Sequence, residues 1–237
     1  MCGRFVSREQ AAIEREYNIR VRAPFERVYN AAPSMELPVI RQLPGGNEPG
    51  AGAGADADTG EAREAVAMRW GLVPSWWSQP TPPTSTINAR SEEAAGKPMW
   101  RHAVRHARAL VPALGWYEWR AEAGAKQPYF IHAAGMAGIC FAGLWSTHRD
   151  NTGQEQLSFA ILTRAASAQL TAVHNRMPVV LAPALFGEWL APWAGEHGAQ
   201  LASFVARSQE EFEYYPVSRF VNAPRNQGER CIERAGA

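Results

Sequence analysis

The alternation of apolar and polar positions predicts a β-rich chain. Five segments are short, rich in β-branched and aromatic residues, and separated by glycine, asparagine or polar turns, as is typical of strands. They are EAVAMRWGLV, ARALVPALGWYEWR, QPYFIHA, GICFAGLWSTH and LSFAILTRA, and MELPVIRQ has the character of an earlier strand. We therefore expect an α+β fold, a single β-rich domain built on a curved, largely antiparallel, barrel-like sheet.

Short helices are expected to flank this sheet and cover its outside. In SREQAAIEREYN, Ser7 and Gln10 have the spacing of a capping box, and Ile13 and Tyr17 follow at helical spacing. Four later stretches have helical apolar spacing or helix boundary residues, namely KPMWRHAVR, SAQLTAV, APALFGEWLAPW and GAQLASFVA.

The composition limits the class of protein. The chain has 237 residues, of which 46% are hydrophobic and 20% charged, enough for a substantial core. No apolar run approaches the roughly 20 residues of a membrane helix, and the start lacks the features of a signal peptide. We expect a cytoplasmic protein with no membrane partner. The formal net charge of +1 leaves the partner open, because charge can still concentrate in a groove.

One stretch differs from the rest of the chain in composition. The segment LPGGNEPGAGAGADADTGEA consists largely of glycine, alanine, proline and acidic residues and has no periodicity. Such a segment cannot bury enough apolar surface to order itself. We predict a disordered surface insertion at about residues 44–62.

The three cysteines do not form a recognisable framework. Cys2, Cys140 and Cys231 are odd in number and lack CxxC spacing, so neither disulfides nor a zinc site is predicted. We expect no metal and no cofactor.

Cys2 can take part in a reaction that the other two cysteines cannot. Cysteine is small enough for removal of Met1, which would leave Cys2 with a free α-amine beside its thiol. The pKa of such an amine is about 7.7 to 8, so a sizeable fraction is uncharged and nucleophilic at neutral pH. The amine can attack an aldehyde, and the thiol can close onto the imine to form a thiazolidine. The alternative is that Cys2 follows Met1 by chance and has no function.

Four polar residues lie in segments where chemistry is plausible. Glu118 lies among aromatic residues in GWYEWR, where burial would raise its pKa, although a strand also presents glutamates to water. His174 lies in a loop of AVHNRMPVVL, where catalytic or structural histidines both occur. The polar loop TSTINARSEE offers Asn88 as a hydrogen-bonding group and Arg90 as a phosphate clamp.

Adjacent tryptophans mark a further loop. Trp76 and Trp77 lie in the proline-punctuated segment WGLVPSWWSQPTPP, where both indoles cannot easily pack inward. Exposed indoles can stack on unpaired bases, with each stacking interaction contributing about 1 to 3 kcal/mol.

The two histidines of the segment RHAVRHAR have the spacing of a metal site, but the residues around them do not favour one. His102 and His106 are four residues apart, yet the stretch contains arginines and no carboxylate. A basic helical face that contacts phosphate or water fits this charge better.

Nine segments, in this order, resemble the SOS response-associated peptidase family, whose members shield abasic sites in single-stranded DNA. They are MCGRF, YNAAPS, MRWGLVPSWW, INARSE, LVPALGWYEW, FAGLWS, ILTRAA, HNRMPVVL and VSRFVN. The resemblance implies one domain over residues 2–226, followed by a tail over residues 227–237. The insertion and the ending VNAPRNQGERCIE depart from the family pattern.

The resemblance also implies the chemistry. Met1 is removed, the Cys2 amine condenses with the ring-opened aldehyde of an abasic deoxyribose, and the thiol closes a thiazolidine that caps the lesion. Asn88 would hydrogen-bond the amine or the ring, Glu118 would act as acid and base, and His174 would assist opening of the sugar. The family name records a peptidase activity, which self-removal of Met1 would satisfy, and hydrolase or lyase activity is a further expectation.

The implied partners are abasic single-stranded DNA and junctions between single and double strands. We expect a monomer that associates with the nucleoid when bound to DNA. Arginines would hold phosphates, Thr163 would add a backbone contact, and tryptophans would stack at or wedge open a junction. The predicted DNA contacts are Arg4, Trp76, Trp77, Arg90, Thr163 and Arg176.

Two other classes of protein remain as alternatives. An N-terminal-cysteine hydrolase, of the amidotransferase or protease type, would also use a thiol at this position. Arg4 interrupts the hydrophobic strand typical of the amidotransferases, and the chain has no Asn-Gly dipeptide for their oxyanion segment. A non-catalytic single-strand-binding module would need the aromatic residues and arginines but not Cys2.

Overall fold

The computed structural model organises the chain around a ten-stranded sheet within the residues that it describes. The predicted insertion at about residues 44–62 lies outside those residues. The described residues are 2–19, 21, 24–43, 63–79, 81–122, 124–150 and 152–236. The strands are β1 Phe5–Ser7, β2 Glu36–Gln42, β3 Arg63–Trp70, β4 Asn88–Arg90, β5 Arg108–Glu122, β6 Ala125–His132, β7 Ile139–Arg149, β8 Glu155–Ala165, β9 Arg176–Pro178 and β10 Glu213–Pro216.

Five of these strands close into a barrel. Strand β5 pairs with β2, β2 with β3, β3 with β8, β8 with β7, and β7 again with β5. Only the β3–β8 pair in this circuit is parallel, and β4 also runs parallel to β8. The predicted curved, largely antiparallel, barrel-like sheet is therefore confirmed.

An aromatic cluster fills the barrel. Phe5 meets Trp70 edge to face with ring centroids 5.0 Å apart, and Trp70 stacks on Phe159 at 6.2 Å. Trp116 and Phe141 belong to the same buried cluster, and both are fully buried. Large aromatic side chains bury much apolar area, so this cluster fixes the inward faces of the strands.

Short helices cover the outside of the barrel, as predicted. Helices in KPMWRHAVR, APALFGEWLAPW and GAQLASFVA are confirmed, and their apolar faces pack into a second buried cluster with Trp189 and Phe204. Within the described ranges, no helix is long and apolar enough to span a membrane. The helices are α1 Gln10–Tyr17, α2 Ser91–Ala94, α3 Arg101–His106, α4 Phe186–Leu190 and α5 His197–Ala206, with 3-10 turns at Ala134–Met136, Pro183–Leu185, Arg219–Asn222 and Glu229–Cys231.

Two local predictions are wrong. Ser7 lies in β1, and its hydroxyl accepts a hydrogen bond from the Val28 amide at 2.9 Å, so it cannot cap α1. The segment SAQLTAV forms successive turns instead of a helix. The amides of Leu170 and Val173 bond to carbonyls three residues earlier, and both side chains are buried in the barrel cluster. A segment this short gains more from seating two anchors than from helical hydrogen bonds.

The residues after 226 pack onto the body of the protein. Cys231 is fully buried, the Tyr215 hydroxyl donates to the Ile232 carbonyl at 2.8 Å, and Val217 forms a bridge with Arg234. The domain boundary at residue 226 stays a prediction.

The pairing of β5 with β6 predicts the effect of one substitution. A Cβ at Gly115 would overlap the Ile131 carbonyl oxygen and lie 2.5 Å from a ring atom of Phe130. We expect Gly115→Ala to lower the free energy of unfolding by about 1 to 3 kcal/mol, because the strands must separate to admit it. Denaturant unfolding measures this change. Gly96→Ala, whose Cβ would have its nearest neighbour at 3.8 Å, is the control, and equal stability of both variants would contradict the prediction.

Candidate functional site

Cys2 is buried at the barrel because β1 pairs with β5. Phe5 lies opposite Trp116, and the Tyr117 amide donates to the Arg4 carbonyl at 3.0 Å, which extends the pairing towards the chain start. Cys2 itself is fully buried. Burial raises the pKa of its thiol well above the usual value, and the nearby Glu118 carboxylate raises it further. The thiol therefore carries its proton at neutral pH.

Asn88 holds the backbone of Cys2. It is the first residue of β4, which the parallel pairing with β8 places beside the start of the chain, and it is buried. Its Nδ2 donates to the Cys2 carbonyl at 2.7 Å. Within the described part of the chain, its Oδ1 is buried without a hydrogen-bond partner. Such an acceptor costs about 1 to 3 kcal/mol when unsatisfied, so it is suited to accept a hydrogen bond from a bound group.

Glu118 is a buried carboxyl with an acid–base pKa. It lies on β5 opposite Tyr129 and is 3% exposed. Burial raises its pKa to about 7, because the charged form loses its hydration. Both protonation states are therefore populated near neutral pH, which suits a group that must give and take protons.

His174 faces Glu118 with a defined tautomer. Its Nε2 lies 4.0 Å from Glu118 Oε2. The Arg176 amide donates to His174 Nδ1 at 2.9 Å, so Nδ1 is the acceptor and the ring proton of the neutral form is on Nε2. Burial lowers the pKa of His174, which favours this neutral form. The loop position predicted for this histidine is confirmed.

An open pocket of about 570 Å³ is lined by two of these groups. Glu118 and His174 line it together with Gly3 and Arg4, the residues that follow Cys2. Sequence reasoning assigned no role to three further lining residues, although two of them fall within the recognised motifs LVPALGWYEW and VSRFVN. The three are Trp119, Lys126 and Asn222.

Arg4 is anchored at the rim of this pocket. Its guanidinium donates to Asn30 Oδ1 at 2.8 Å and to the carbonyls of Val221 and Asn222 at 3.2 and 3.4 Å. It also lies 6.0 Å from the ring centroid of Trp119, whose Nε1 donates to Asn222 Oδ1 at 2.8 Å. These contacts hold the cation in one orientation beside the pocket.

Arg176 is already engaged by a carboxylate. Its guanidinium donates to both oxygens of Glu92 at 2.6 and 3.0 Å and to the carbonyl and hydroxyl of Thr163 at 2.8 and 3.2 Å. Thr163 is fully buried, so it orients Arg176 and has no exposed surface. Arg90 is more open, with 58% of its side chain exposed and Glu93 at 4.0 Å.

The two tryptophans differ in exposure. The loop 71–87 connects β3 to β4, and its ends are joined by a hydrogen bond of 3.1 Å from the Leu72 amide to the Thr86 carbonyl. Trp76 is 56% exposed, whereas Trp77 is partly buried and donates from Nε1 to the Thr81 carbonyl at 2.8 Å. Trp76 therefore offers the freer face for stacking.

The histidine pair in RHAVRHAR lies apart from these groups. His102 and His106 are exposed on α3 with ring centroids 5.2 Å apart. Across the described ranges, no group of three or more histidine, cysteine, aspartate or glutamate residues is arranged to hold a metal ion.

Comparisons with known proteins bear on the whole chain. The family model described as SOS response associated peptidase (SRAP) matches residues 1–224. A protein of Escherichia coli (strain K12) named Abasic site processing protein YedK is 37% identical over 165 residues, which are 69% of this chain and 72% of that protein. The Bacillus subtilis (strain 168) protein named Abasic site processing protein YoqW is 29% identical over 238 residues, covering 98% of this chain and 99% of its own length.

The fold is shared with solved structures. A crystal structure of a protein from Bacteroides thetaiotaomicron matches 99% of this chain and 100% of its own with a TM-score of 0.79 at 21% identity. At this identity the likeness concerns the fold alone. Because the family model covers nearly the whole chain, and the motifs from Cys2 to Asn222 fall within its range, the chain belongs to the SOS response associated peptidase family.

Proposed function

We propose that the protein senses abasic sites in single-stranded DNA and forms a thiazolidine with them through Cys2 after removal of Met1. The observation that carries this proposal is the burial of the Cys2 thiol beside Glu118, a carboxyl with a pKa of about 7, next to a pocket that also contains His174. Relatives named as abasic site processing proteins support the choice of lesion.

The first step is the opening of the sugar. When the bond between C1 and the ring oxygen of the abasic hemiacetal breaks, the C1 hydroxyl loses a proton and the ring oxygen gains one. His174 and Glu118 can move this proton together. The Glu118 carboxylate takes the proton of the C1 hydroxyl, His174 Nε2–H gives its proton to the ring oxygen, and Nε2 regains a proton from Glu118, 4.0 Å away, while Nδ1 stays bound to the Arg176 amide. The product is an aldehyde within reach of the Cys2 amine.

The second step joins the amine to the aldehyde. The amine nitrogen bonds to the aldehyde carbon, and loss of one water leaves an imine. Asn88 Oδ1, buried and without a hydrogen-bond partner in the described part of the chain, would accept an N–H of the amine and orient its lone pair. Because Asn88 also holds the Cys2 carbonyl, it fixes both ends of the reacting residue.

The third step closes the ring. The Cys2 sulfur bonds to the imine carbon, and the thiol proton ends on the nitrogen. Because burial keeps the thiol protonated, a base must accept its proton, and the Glu118 carboxylate can do so and return it to nitrogen. The thiazolidine has no iminium to withdraw electrons from the sugar, so β-elimination and strand cleavage are suppressed.

Removal of Met1 must precede all three steps, since a peptide nitrogen cannot form the imine. This single hydrolysis would satisfy the peptidase activity in the family name. We propose no further hydrolase or lyase role.

We propose that the DNA strand crosses the pocket along Arg4, Arg90 and Arg176. The fork of Arg176 holds the Glu92 carboxylate in the geometry that a phosphate would take, and the arginine side chain is only 14% exposed. A phosphate at this position would therefore displace Glu92, whose side chain is 51% exposed and can move into solvent.

The roles of the Cys2 amine and thiol predict distinct products. We expect the purified protein to lack Met1 and to gain the mass of an abasic oligonucleotide less one water. Cys2→Ser keeps the amine, so it should form an imine that borohydride traps, but little heat-stable adduct, because a hydroxyl forms a weaker ring. Intact-mass spectrometry measures both. Cys140→Ser, at a thiol buried elsewhere, is the control. Full capture with Met1 retained, or adducts of the Cys2→Ser variant as heat-stable as those of the wild type, would overturn the mechanism.

The pKa of Glu118 predicts a pH dependence. The rate of stable adduct formation should rise with pH through about 7 as the carboxyl loses its proton and becomes a base. Glu118→Gln should remove this inflection and slow ring closure by about 10²-fold or more, while the borohydride-trapped imine accumulates. The inflection near the amine pKa, about 8, should remain. Glu155→Gln, an exposed carboxylate on β8, should behave as wild type. An unchanged profile in Glu118→Gln would exclude Glu118 as the base.

The ion pair of Glu92 with Arg176 predicts a gain in affinity. Glu92→Gln should tighten binding of an undamaged single strand by up to about fivefold, because no ion pair has to be broken and a repelling charge is removed. Fluorescence anisotropy at low salt measures this change, with Glu155→Gln as the charge-matched control. Weaker binding by Glu92→Gln would show instead that Glu92 orients Arg176 for DNA.

A further inference from the structure

Asn30 is a buried amide that joins Arg4 to the segment after residue 220. It lies in the motif YNAAPS, to which the proposed reaction gives no role, and it is fully buried. Its Oδ1 accepts a hydrogen bond from Arg4 Nη1 at 2.8 Å. Its Nδ2 donates to the carbonyls of Val221 and Ala223 at 3.0 Å each and of Asn226 at 3.1 Å. Both ends of the amide are therefore used.

The orientation of this amide is fixed by a second set of contacts. The Asn30 main-chain amide donates to Gln227 Oε1 at 3.1 Å, and Gln227 Nε2 donates back to the Asn30 carbonyl at 3.4 Å. The segment is tied down again further along, because the Tyr215 hydroxyl donates to the Ile232 carbonyl at 2.8 Å. Rotating the Asn30 amide would point Oδ1 at three carbonyls, which cannot donate. Oδ1 is consequently a fixed acceptor for Arg4.

The contacts of Arg4 leave part of its guanidinium available. A guanidinium carries five N–H donors in one plane. Nη1 of Arg4 donates to Asn30 and to the Val221 carbonyl, and Nη2 donates to the Asn222 carbonyl at 3.4 Å. Among the residues that the structure describes, none accepts a hydrogen bond from Nε of Arg4. The remaining donors are therefore on Nε and Nη2, the adjacent pair that binds two oxygens of a phosphate.

We propose that Asn30 is a positioning residue for Arg4, and that it turns the Nε and Nη2 donors towards a phosphate of the strand in the pocket. Arg4 lines that pocket, so a phosphate bound there lies within its reach. This inference rests on the proposed function, because the phosphate belongs to the abasic strand. In this arrangement Arg4 keeps its contacts with the protein and binds the phosphate with the donors that are still open.

Holding Arg4 in advance lowers the entropic cost of binding. An arginine side chain has many rotamers, and immobilising such a side chain on binding weakens affinity by about threefold to tenfold. Because Asn30 and the neighbouring carbonyls immobilise Arg4 in the free protein, binding of the strand does not carry this cost. The segment 221–227 is then part of the DNA site, although none of its side chains has to contact DNA.

The test is a double-mutant cycle on Asn30 and Arg4, with an undamaged single strand as the ligand. Fluorescence anisotropy at low salt should show that Asn30→Ala weakens binding by about threefold to tenfold, because Arg4 loses its acceptor and must be ordered on binding. Arg4→Ala should weaken binding at least as much. Adding Asn30→Ala to Arg4→Ala should have no further effect, because Asn30 acts through Arg4 alone.

Gln227→Ala tests the same set of contacts at an exposed position. It leaves every hydrogen bond of the Asn30 side chain in place but removes both contacts to the Asn30 main chain. We expect a smaller loss of affinity than for Asn30→Ala, and again no loss in the Arg4→Ala background. Because Gln227 is exposed, this variant should fold even where Asn30→Ala does not, and it then decides the question.

Tyr215→Phe controls for loosening of the C-terminal segment. It removes the hydrogen bond to the Ile232 carbonyl without touching Arg4, so it should bind the strand as tightly as the wild type. Denaturant unfolding gives the stability of each variant. The proposal is overturned by unchanged affinity in both Asn30→Ala and Gln227→Ala, by equal losses with and without Arg4, or by an equal loss in Tyr215→Phe, since the last two results would mean that Asn30 acts through stability alone.

Adduct formation separates this proposal from the proposed function. On an abasic single strand, Asn30→Ala should need a higher strand concentration for its half-maximal rate but should reach the wild-type rate at saturation, because the Cys2 chemistry is untouched. A lower rate at saturation would place Asn30 in the chemistry and contradict a positioning role. Absence of any adduct in the wild type would refute the proposed function, while the result of the binding cycle would stand.

Discussion

The register of β1 against β5 is the constraint on which the site depends. Phe5 lies opposite Trp116, and the hydrogen bond from the Tyr117 amide to the Arg4 carbonyl continues this antiparallel pairing. One residue further along this antiparallel register, Gly3, which follows Cys2, lies opposite Glu118. A reactive chain start is ordinarily mobile, because the first residues of a domain fray unless a strand ties them down. Here the strand pairing holds Cys2 close to Glu118.

Burial shifts the pKa of Cys2 and of Glu118 in the same direction. It raises the pKa of the Cys2 thiol and of the Glu118 carboxyl, because each charged form loses its hydration. In the proposed reaction the protonated thiol needs a base, and Glu118, with a pKa of about 7, would supply one near neutral pH. Burial also lowers the pKa of His174, which favours its neutral form.

The sequence predicted the six longest strands and most helices, because their apolar patterns are decided locally. It failed at SAQLTAV, where helical spacing was overridden by the need to seat Leu170 and Val173 in the barrel cluster. Most residues of the candidate site were predicted from the motifs that carry the family resemblance. Sequence reasoning missed the pairing of Glu92 with Arg176, because partners 84 positions apart meet only through the β8–β9 pairing and the start of α2. No local signal marks such a contact.

The net charge of this protein does not show how its individual charged groups are paired. With a formal net charge of +1, the chain has little long-range attraction for a polyanion. Arg4 at the pocket is bound by carbonyls and Asn30, and Arg176 is bound by Glu92, so both cations already have partners within the protein. In the proposed binding mode, a strand would exchange the Glu92 contacts for contacts with its own phosphates and gain little net electrostatic energy. We therefore expect limited affinity for undamaged strands, with selectivity for an abasic site coming from the groups proposed to recognise its aldehyde.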